Sequence, residues 1–279
     1  MKHYPYKTLP QLPKLKLAVI GHVEWMTFLS VDTLPKEGYI SHAKDYLEAP
    51  AGGGAVTAIQ MAKLTGSKVH LITSLGKDYF GEKCFEILTD YGLDLSVAWR
   101  QKPTRKGISM VDKMRERSIT VIGERLQPTS ADNLPWGDLS DYDGVFITAA
   151  DPLAIQYARK AKIVTATPRV GQSILKQSKI RLDALIGSSL DPDEQIDLNS
   201  LHPKPTIYIA TEGSSGGSVN THGRYKPCKP SSPSLDSYGC GDSFAGGLTS
   251  ALAAGWQIDK AVSLGAYCGA ECSTLFGPY

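Results

Sequence analysis

Asp236-Ser237-Tyr238-Gly239-Cys240-Gly241-Asp242, running into Ser243-Phe244-Ala245-Gly246-Gly247-Leu248, is the stretch on which the reading of this chain turns. Phe244, Leu248 and Leu252 stand four apart, the spacing of one helical face. The pattern predicts a helix opening at Ser243 and stopped by Gly255. A Gly-x-Gly turn that opens a helix presents several backbone N–H groups at the positive end of the helix dipole, which is an anion site. Glycine suits it because a phosphate must approach the backbone and because such a turn calls for positive φ. Asp242 is the odd member, since a carboxylate beside a phosphate is repelled by it. Accepting a proton from a hydroxyl that attacks the phosphoryl group would explain its presence. In the plainer alternative Asp242 caps the helix and the glycines only make a turn. A second Asp six residues earlier and the tight Gly-Cys-Gly spacing favour the chemical reading.

Working outward, Leu15–Ile20 is a short apolar run before Gly21 and reads as a buried strand. Ala55–Leu64 and Tyr79–Tyr91 are helix-like, stopped by Gly66 and Gly92. Val69–Thr73, Val145–Thr148, Ile163–Ala166, Leu182–Ile186 and Thr206–Ala210 read as strands, and Pro152–Lys160 and Gly171–Lys179 as helices. This alternation predicts an α/β fold, a mostly parallel central sheet with helices on both faces. Residues 27–50 and 104–123 break the rhythm, reading as two hairpins with turns at 34–38 and 113–117. They are expected to pair into a small β-sheet lid on a single domain spanning residues 1–279.

Composition narrows the classes. Lys plus Arg is 30 against Asp plus Glu 28, so a formal charge of +2 gives no electrostatic case for nucleic acid. No stretch has the roughly 18 consecutive apolar residues of a membrane span. Residues 1–14, with three lysines and three prolines, lack a signal-type apolar run and read as an extended or disordered leader. Five scattered cysteines read as buried free thiols and fit a reducing, cytoplasmic setting.

Residues 236–242 resemble the C-terminal signature Asp-Thr-x-Gly-Ala-Gly-Asp of the ribokinase family of carbohydrate and nucleoside kinases, the PfkB-type kinases, with two conservative changes. Ala51-Gly52-Gly53-Gly54-Ala55 before a helix looks like the family's N-terminal Gly-Gly signature, continued by Gly66 and by 76–81. Thr211-Glu212-Gly213-Ser214-Ser215-Gly216 resembles its Thr-x-Gly-x-x-Gly turn under the nucleotide phosphates. The resemblance implies a ribokinase-like fold and ATP-dependent phosphorylation of a hydroxyl on a sugar, nucleoside or related polyol. It makes Asp242 the general base and the amides of Gly239, Cys240, Gly241 and Asp242 the anion hole. Thr211, Gly213, Gly216 and Ser188 fall on its nucleotide side, and Gly52, Gly53 and Gly54 on its substrate side. It further implies Mg²⁺, a monovalent cation such as K⁺ beside Asp236, and a homodimer formed through the lid.

Four positions depart from the pattern. The Asp that grips substrate hydroxyls falls on Met26, and the sugar-binding Asn on Val56. Glu24 and His22 are candidate replacements and Trp25 a candidate stacking ring, with a satisfied strand-end histidine and a core tryptophan as the alternatives. The family's Asn-x-x-Glu, which organises Mg²⁺ through water, falls on Ser188 and Asp191; Asp191 is equally placed to cap a turn before Pro192. These changes motivate a rival reading, a nucleotide- or metabolite-binding protein of the same fold with little catalysis. A dinucleotide-dependent oxidoreductase is disfavoured because the third glycine of a Gly-x-Gly-x-x-Gly pattern starting at Gly52 would be Thr57. No Walker-type phosphate loop occurs.

Overall fold

Leu17-Ala18-Val19-Ile20 has no polar side chain to turn toward water. In the computed structural model, which describes residues 1–279, this segment is strand β1 (Leu17–Ile20) and is wholly buried. Leu17 and Val19 face one apolar layer, Ala18 and Ile20 the other, as the two-residue period of a strand requires. A strand buried on both faces belongs in a parallel sheet covered by helices.

Along the chain follow β2 (Glu24–Val31), β3 (Ala43–Ala51), α1 (Gly53–Thr65), β4 (His70–Gly76), α2 (Tyr79–Asp90), β5 (Asp94–Arg100), β6 (Lys106–Val111) and β7 (Arg117–Ile122). Then come β8 (Gly144–Ile147), α3 (Pro152–Ala158), β9 (Ile163–Ala166), α4 (Gln172–Ser178), β10 (Ala184–Ser188) and β11 (Ile207–Thr211). The chain closes with β12 (Gly217–Val219), β13 (Gly223–Tyr225), α5 (Cys240–Ala253) and α6 (Ile258–Cys272). The main sheet has the order β13-β12-β11-β10-β9-β8-β1-β4-β5, parallel except for β12 and β13. The predicted α/β sheet is therefore present, with β1 third from its β5 edge.

The second sheet has the order β3-β2-β6-β7, with β2 and β6 parallel and the outer pairs antiparallel. It is a small separate sheet made from the two irregular stretches of sequence. Met26 and Phe28 pack from it onto Ala49, Ala51, Val56 and Tyr238. β7 is exposed along its whole length.

Four elements differ from expectation. α5 begins at Cys240, three residues early, so the Gly-x-Gly residues after Gly239 belong to its first turn. α6 was not among the expected elements, and it carries Gly265 and Gly269 within it. A Cβ at Gly265 would lie 2.9 Å from Phe244 O, and one at Gly269 3.0 Å from Cys240 O, so these glycines permit close packing on α5. The edge strand β5 was missed because its side chains are mostly half-buried and mixed in character. Residues 1–14 are not an unattached leader. Tyr6 stacks on Tyr267 of α6 with ring centroids 3.7 Å apart, and Tyr4 N–H donates to Ser263 Oγ at 3.2 Å. No helix is long and apolar enough to cross a membrane.

Candidate active site

The carboxyl ends of β1, β8, β9, β10 and β11 open into a cleft of about 630 Å³, roofed by the small sheet. Ligands of open α/β sheets bind at such strand ends. A second cavity of about 330 Å³ lies on the far side of the 239–241 turn. Thr211, Gly213, Ser237, Cys240 and Gly241 line both spaces, so the turn stands at their junction.

Gly239 caps α5 in the left-handed conformation, φ 76°, where a Cβ would meet Val56 Cγ1 at 3.0 Å and Pro278 O at 3.1 Å. Only glycine takes that position without strain. Asp242 then falls in the first turn of α5, at the positive end of its dipole. Its main-chain oxygen accepts from Thr57 Oγ1 at 3.3 Å, while its carboxylate faces the cleft. A Cβ on Gly53 would come 2.9 Å from Asp242 Oδ1. The bare backbone of α1 thus sits against the carboxylate. Burial, then the charge of Glu194, push the Asp242 carboxyl up from 3.8 to about 7, with Arg169 pulling the other way. A carboxylate poised near neutrality suits proton transfer. Contact with Cys272, with burial, pushes the Cys240 thiol up, so it stays protonated and is no nucleophile.

Glu24 is buried at the start of β2. Its Oε1 accepts from Tyr238 Oη at 3.3 Å, and its Oε2 lies 3.3 Å from Arg105 Nε. Tyr238 Oη in turn accepts from Gly52 N–H at 3.1 Å. The 236–242 turn, the glycine run and the small sheet are thereby tied at one phenol. Burial raises the Glu24 carboxyl, and Arg105 lowers it again. His22, beside it, shares a 3.3 Å contact between Nδ1 and Thr148 Oγ1. Burial and three nearby guanidiniums, of Arg125, Arg105 and Arg169, push its pKa down to about 3, so the imidazole is neutral.

Gly52, Gly53, Glu24, Ser188 and Asp191 line the cleft with Asp242. Met26, Val56 and Gly54 do not, which corrects their expected role in substrate binding. Met26 and Val56 are 0 % exposed and belong to the apolar cluster with Phe28 and Tyr238. Gly54 N–H donates to His22 O at 3.0 Å, holding α1 against the end of β1. Trp25 is a core residue of the opposite layer.

Asp191 is a turn cap, accepting from Asp193 N–H at 2.9 Å, and its other oxygen pairs with Arg169. Glu194 does more, and sequence spacing did not single it out. Its Oε2 accepts from Ser188 N–H at 2.7 Å and its Oε1 from Arg169 Nε at 2.6 Å. Arg117, Arg125 and Arg169 also line the cleft and were missed. On the far side, Thr211, Gly213, Gly216 and Asp236 line the smaller cavity. Asp236 Oδ1 accepts from Tyr238 N–H at 3.0 Å, while its Oδ2 is buried without a partner.

Comparison with known proteins agrees with this fold. The pfkB family carbohydrate kinase model matches residues 14–279. A ribokinase of Arabidopsis thaliana is 24% identical over 298 aligned positions, covering 94% of this chain and 76% of that protein. An adenosine kinase of Schizosaccharomyces pombe is 40% identical over 75 residues, a match that spans 25% of this chain and only 22% of that protein's length. Among solved structures, a putative ribokinase from Agrobacterium tumefaciens superposes with a TM-score of 0.76 at 18% identity, covering 95% of this chain and 92% of that one. A nucleoside kinase of Burkholderia thailandensis in complex with inosine gives 0.72 at 13% identity, with 94% and 92% covered. At these identities the superpositions speak to the fold alone.

Proposed function

The chain belongs to the pfkB family of carbohydrate kinases, and from that premise we propose that it transfers the γ-phosphoryl group of ATP to a hydroxyl of a sugar, nucleoside or related polyol. The observation that carries the proposal is the Asp242 carboxyl, raised to about 7 and set in the first turn of α5 at the junction of two cavities. ATP would lie in the smaller cavity over Thr211, Gly213 and Gly216, with its γ-phosphate at the 239–242 amides. The acceptor alcohol would lie in the larger cleft. Asp242 takes the hydroxyl proton as the oxygen bonds to the γ-phosphorus, and the bond from that phosphorus to the ADP oxygen breaks. The amides Gly239–Asp242 stabilise the charge on the transferring group. The small sheet acts as a lid that excludes water and limits idle hydrolysis.

Ser188, Asp191 and Glu194 supply oxygen donors of the type Mg²⁺ takes. Arg169 already engages both carboxylates, so contact through water fits them better than direct ligation. Mg²⁺ there would neutralise phosphate charge. The unpartnered Oδ2 of Asp236 fits a monovalent cation. The edge strands β3 and β7 would bring two copies together through the lid; sedimentation of a lasting monomer at assay concentration would remove that part.

The test is ADP release against sugars, sugar phosphates, sugar acids, nucleosides and polyols, with Asp242→Asn as the blank. Turnover should fall on the order of 10²–10⁴-fold in the variant while ATP still binds. If no acceptor yields Asp242-dependent ADP, the binding-protein reading replaces this one.

A further inference from the structure

Four guanidiniums line the acceptor cleft, and they are unequally neutralised. Arg169 is held by Asp191 and Glu194. Arg105 lies 3.3 Å from Glu24, yet its buried Nε–H has no acceptor in line. Arg125 and Arg117 have no carboxylate within ion-pair distance. Arg125 Nη1 donates to the main-chain oxygen of Arg169 at 3.0 Å, and Arg117 lies 5.8 Å over the Tyr238 ring.

Crowding like charges at a half-buried site is unfavourable. Burial, then Arg105 and Arg169, lower the pKa of Arg125. A ligand that brings negative charge would relieve this. Three of the four come from the small sheet: Arg105 precedes β6, Arg117 opens β7 and Arg125 follows it. They therefore stand on the acceptor side of Asp242. The smaller cavity beyond the turn has its own arginine, Arg115, and the α5 amides already face the phosphoryl position.

The remaining wall offers little to a neutral polyol. Met26 and Val56 are sealed in the core, Glu24 is engaged by Tyr238 and Arg105, and His22 is engaged by Thr148. Beside a few hydroxyls such as that of Ser237, the spare charged hydrogen-bonding capacity of the cleft is guanidinium, whose planar fork matches phosphate and carboxylate. The carboxylates facing the same space, Glu24, Asp191, Glu194 and Asp242, are either paired with Arg105 or Arg169 or, in Asp242, assigned to the reacting hydroxyl.

We propose that the acceptor carries an oxyanionic group besides its reacting hydroxyl, a phosphate or a carboxylate, and that Arg125 and Arg117, with the Nε–H of Arg105, bind it. The proposal rests on the kinase reading for the reacting hydroxyl; the anion site itself is testable without turnover.

The protein is saturated with a non-hydrolysable ATP analogue and Mg²⁺, which fills the nucleotide cavity and the anion hole. Inorganic phosphate, ribose 5-phosphate, gluconate and ribose are then titrated calorimetrically. At least one anionic probe should bind, and Arg125→Gln and Arg117→Gln should each weaken it on the order of 10- to 100-fold. Arg125→Lys should fall between, keeping charge without the fork. Affinity for the ATP analogue, measured alone, should be unchanged, which also certifies the fold. Ribose 5-phosphate against gluconate decides between phosphate and carboxylate. The proposal is overturned if no anionic probe binds, if the variants bind it as the parent does, or if the loss falls on the ATP analogue, which would give the arginines to the nucleotide. Arginine-dependent anion binding without any Asp242-dependent ADP release would sink the kinase reading and leave the anion site standing.

Discussion

Replacing Asp242 by Asn removes a charge that folding holds away from water. The folded carboxyl titrates near 7 against 3.8 when free, with burial as the leading cause. At about 1.4 kcal/mol per pH unit, ionising it in the folded state costs up to about 4 kcal/mol. Asp242 keeps part of its surface open to the cleft, and solvent screening cuts this to about 2 kcal/mol. The carboxylate has no side-chain hydrogen bond to lose, so Asn should fit without offsetting damage. The folded pKa is raised, so the protonated form contributes full stability below about 4, and the contribution is lost as pH rises through 7. The variant should therefore match the parent at pH 4, pull ahead between pH 4 and 7, and hold a constant lead above. At roughly 2–4 °C per kcal/mol for a large domain, that lead is roughly 4–8 °C in Tm. Thermal unfolding at four pH values, with ligands absent, measures it. A gap that does not change with pH, or an Asn variant less stable than the parent at pH 8, would refute the reasoning that burial strains this carboxylate.

Three further outcomes follow from the same geometry. With any accepted substrate, kcat/KM should fall about tenfold per pH unit below about 7, because the base must be ionised; a level profile down to pH 5 would exclude Asp242 as that base. Gly53→Ala should lower turnover on the order of 100-fold with little change in Tm, since its Cβ would stand 2.9 Å from Asp242 Oδ1 and 3.2 Å from Thr148 Cγ2. Tyr238→Phe should cost about 1–3 kcal/mol by leaving the Gly52 N–H and the buried Glu24 short of a partner. Chemical denaturation checks this, and an unchanged midpoint would mean the phenol ties nothing together.

What was legible in the sequence was local. Gly239-Cys240-Gly241-Asp242 declares itself because a turn and a helix start depend on a few consecutive residues. Gly66, with φ 59°, ends α1 where expected for the same reason. The α/β rhythm was readable because strands such as Val145–Ile147 have no polar face to hide. The cleft wall was not readable, because it is assembled across the chain. Asp191 stands at the expected spacing after Ser188, but Pro192 opens a short turn there and brings Glu194 back to the Ser188 amide. Met26 was expected at the substrate because it falls where the family pattern has its hydroxyl-binding Asp, and it shares a face of β2 with Glu24. That face continues inward beneath Phe28 and Tyr238, so only its first residue reaches the cleft. The arginines were visible as letters, but their convergence needed the pairing of β2 with β6.

The tie between Tyr238, Glu24 and Gly52 also orders events in time. β1, β2 and α1 leave the ribosome early, whereas Tyr238, Asp242 and all of α5 come after most of the chain. Until then the face of α1 that α5 covers, where Thr57 and Gln60 lie against Gly246, has no partner. Before residues 236–253 emerge, the chain has neither the 239–242 turn nor the α5 layer of its core. The core that Phe244, Leu248 and Ala251 complete stays open until then, and transiently exposed apolar surface of that kind is prone to wrong association. A ligand that binds only once this tie has formed would favour the folded state by mass action.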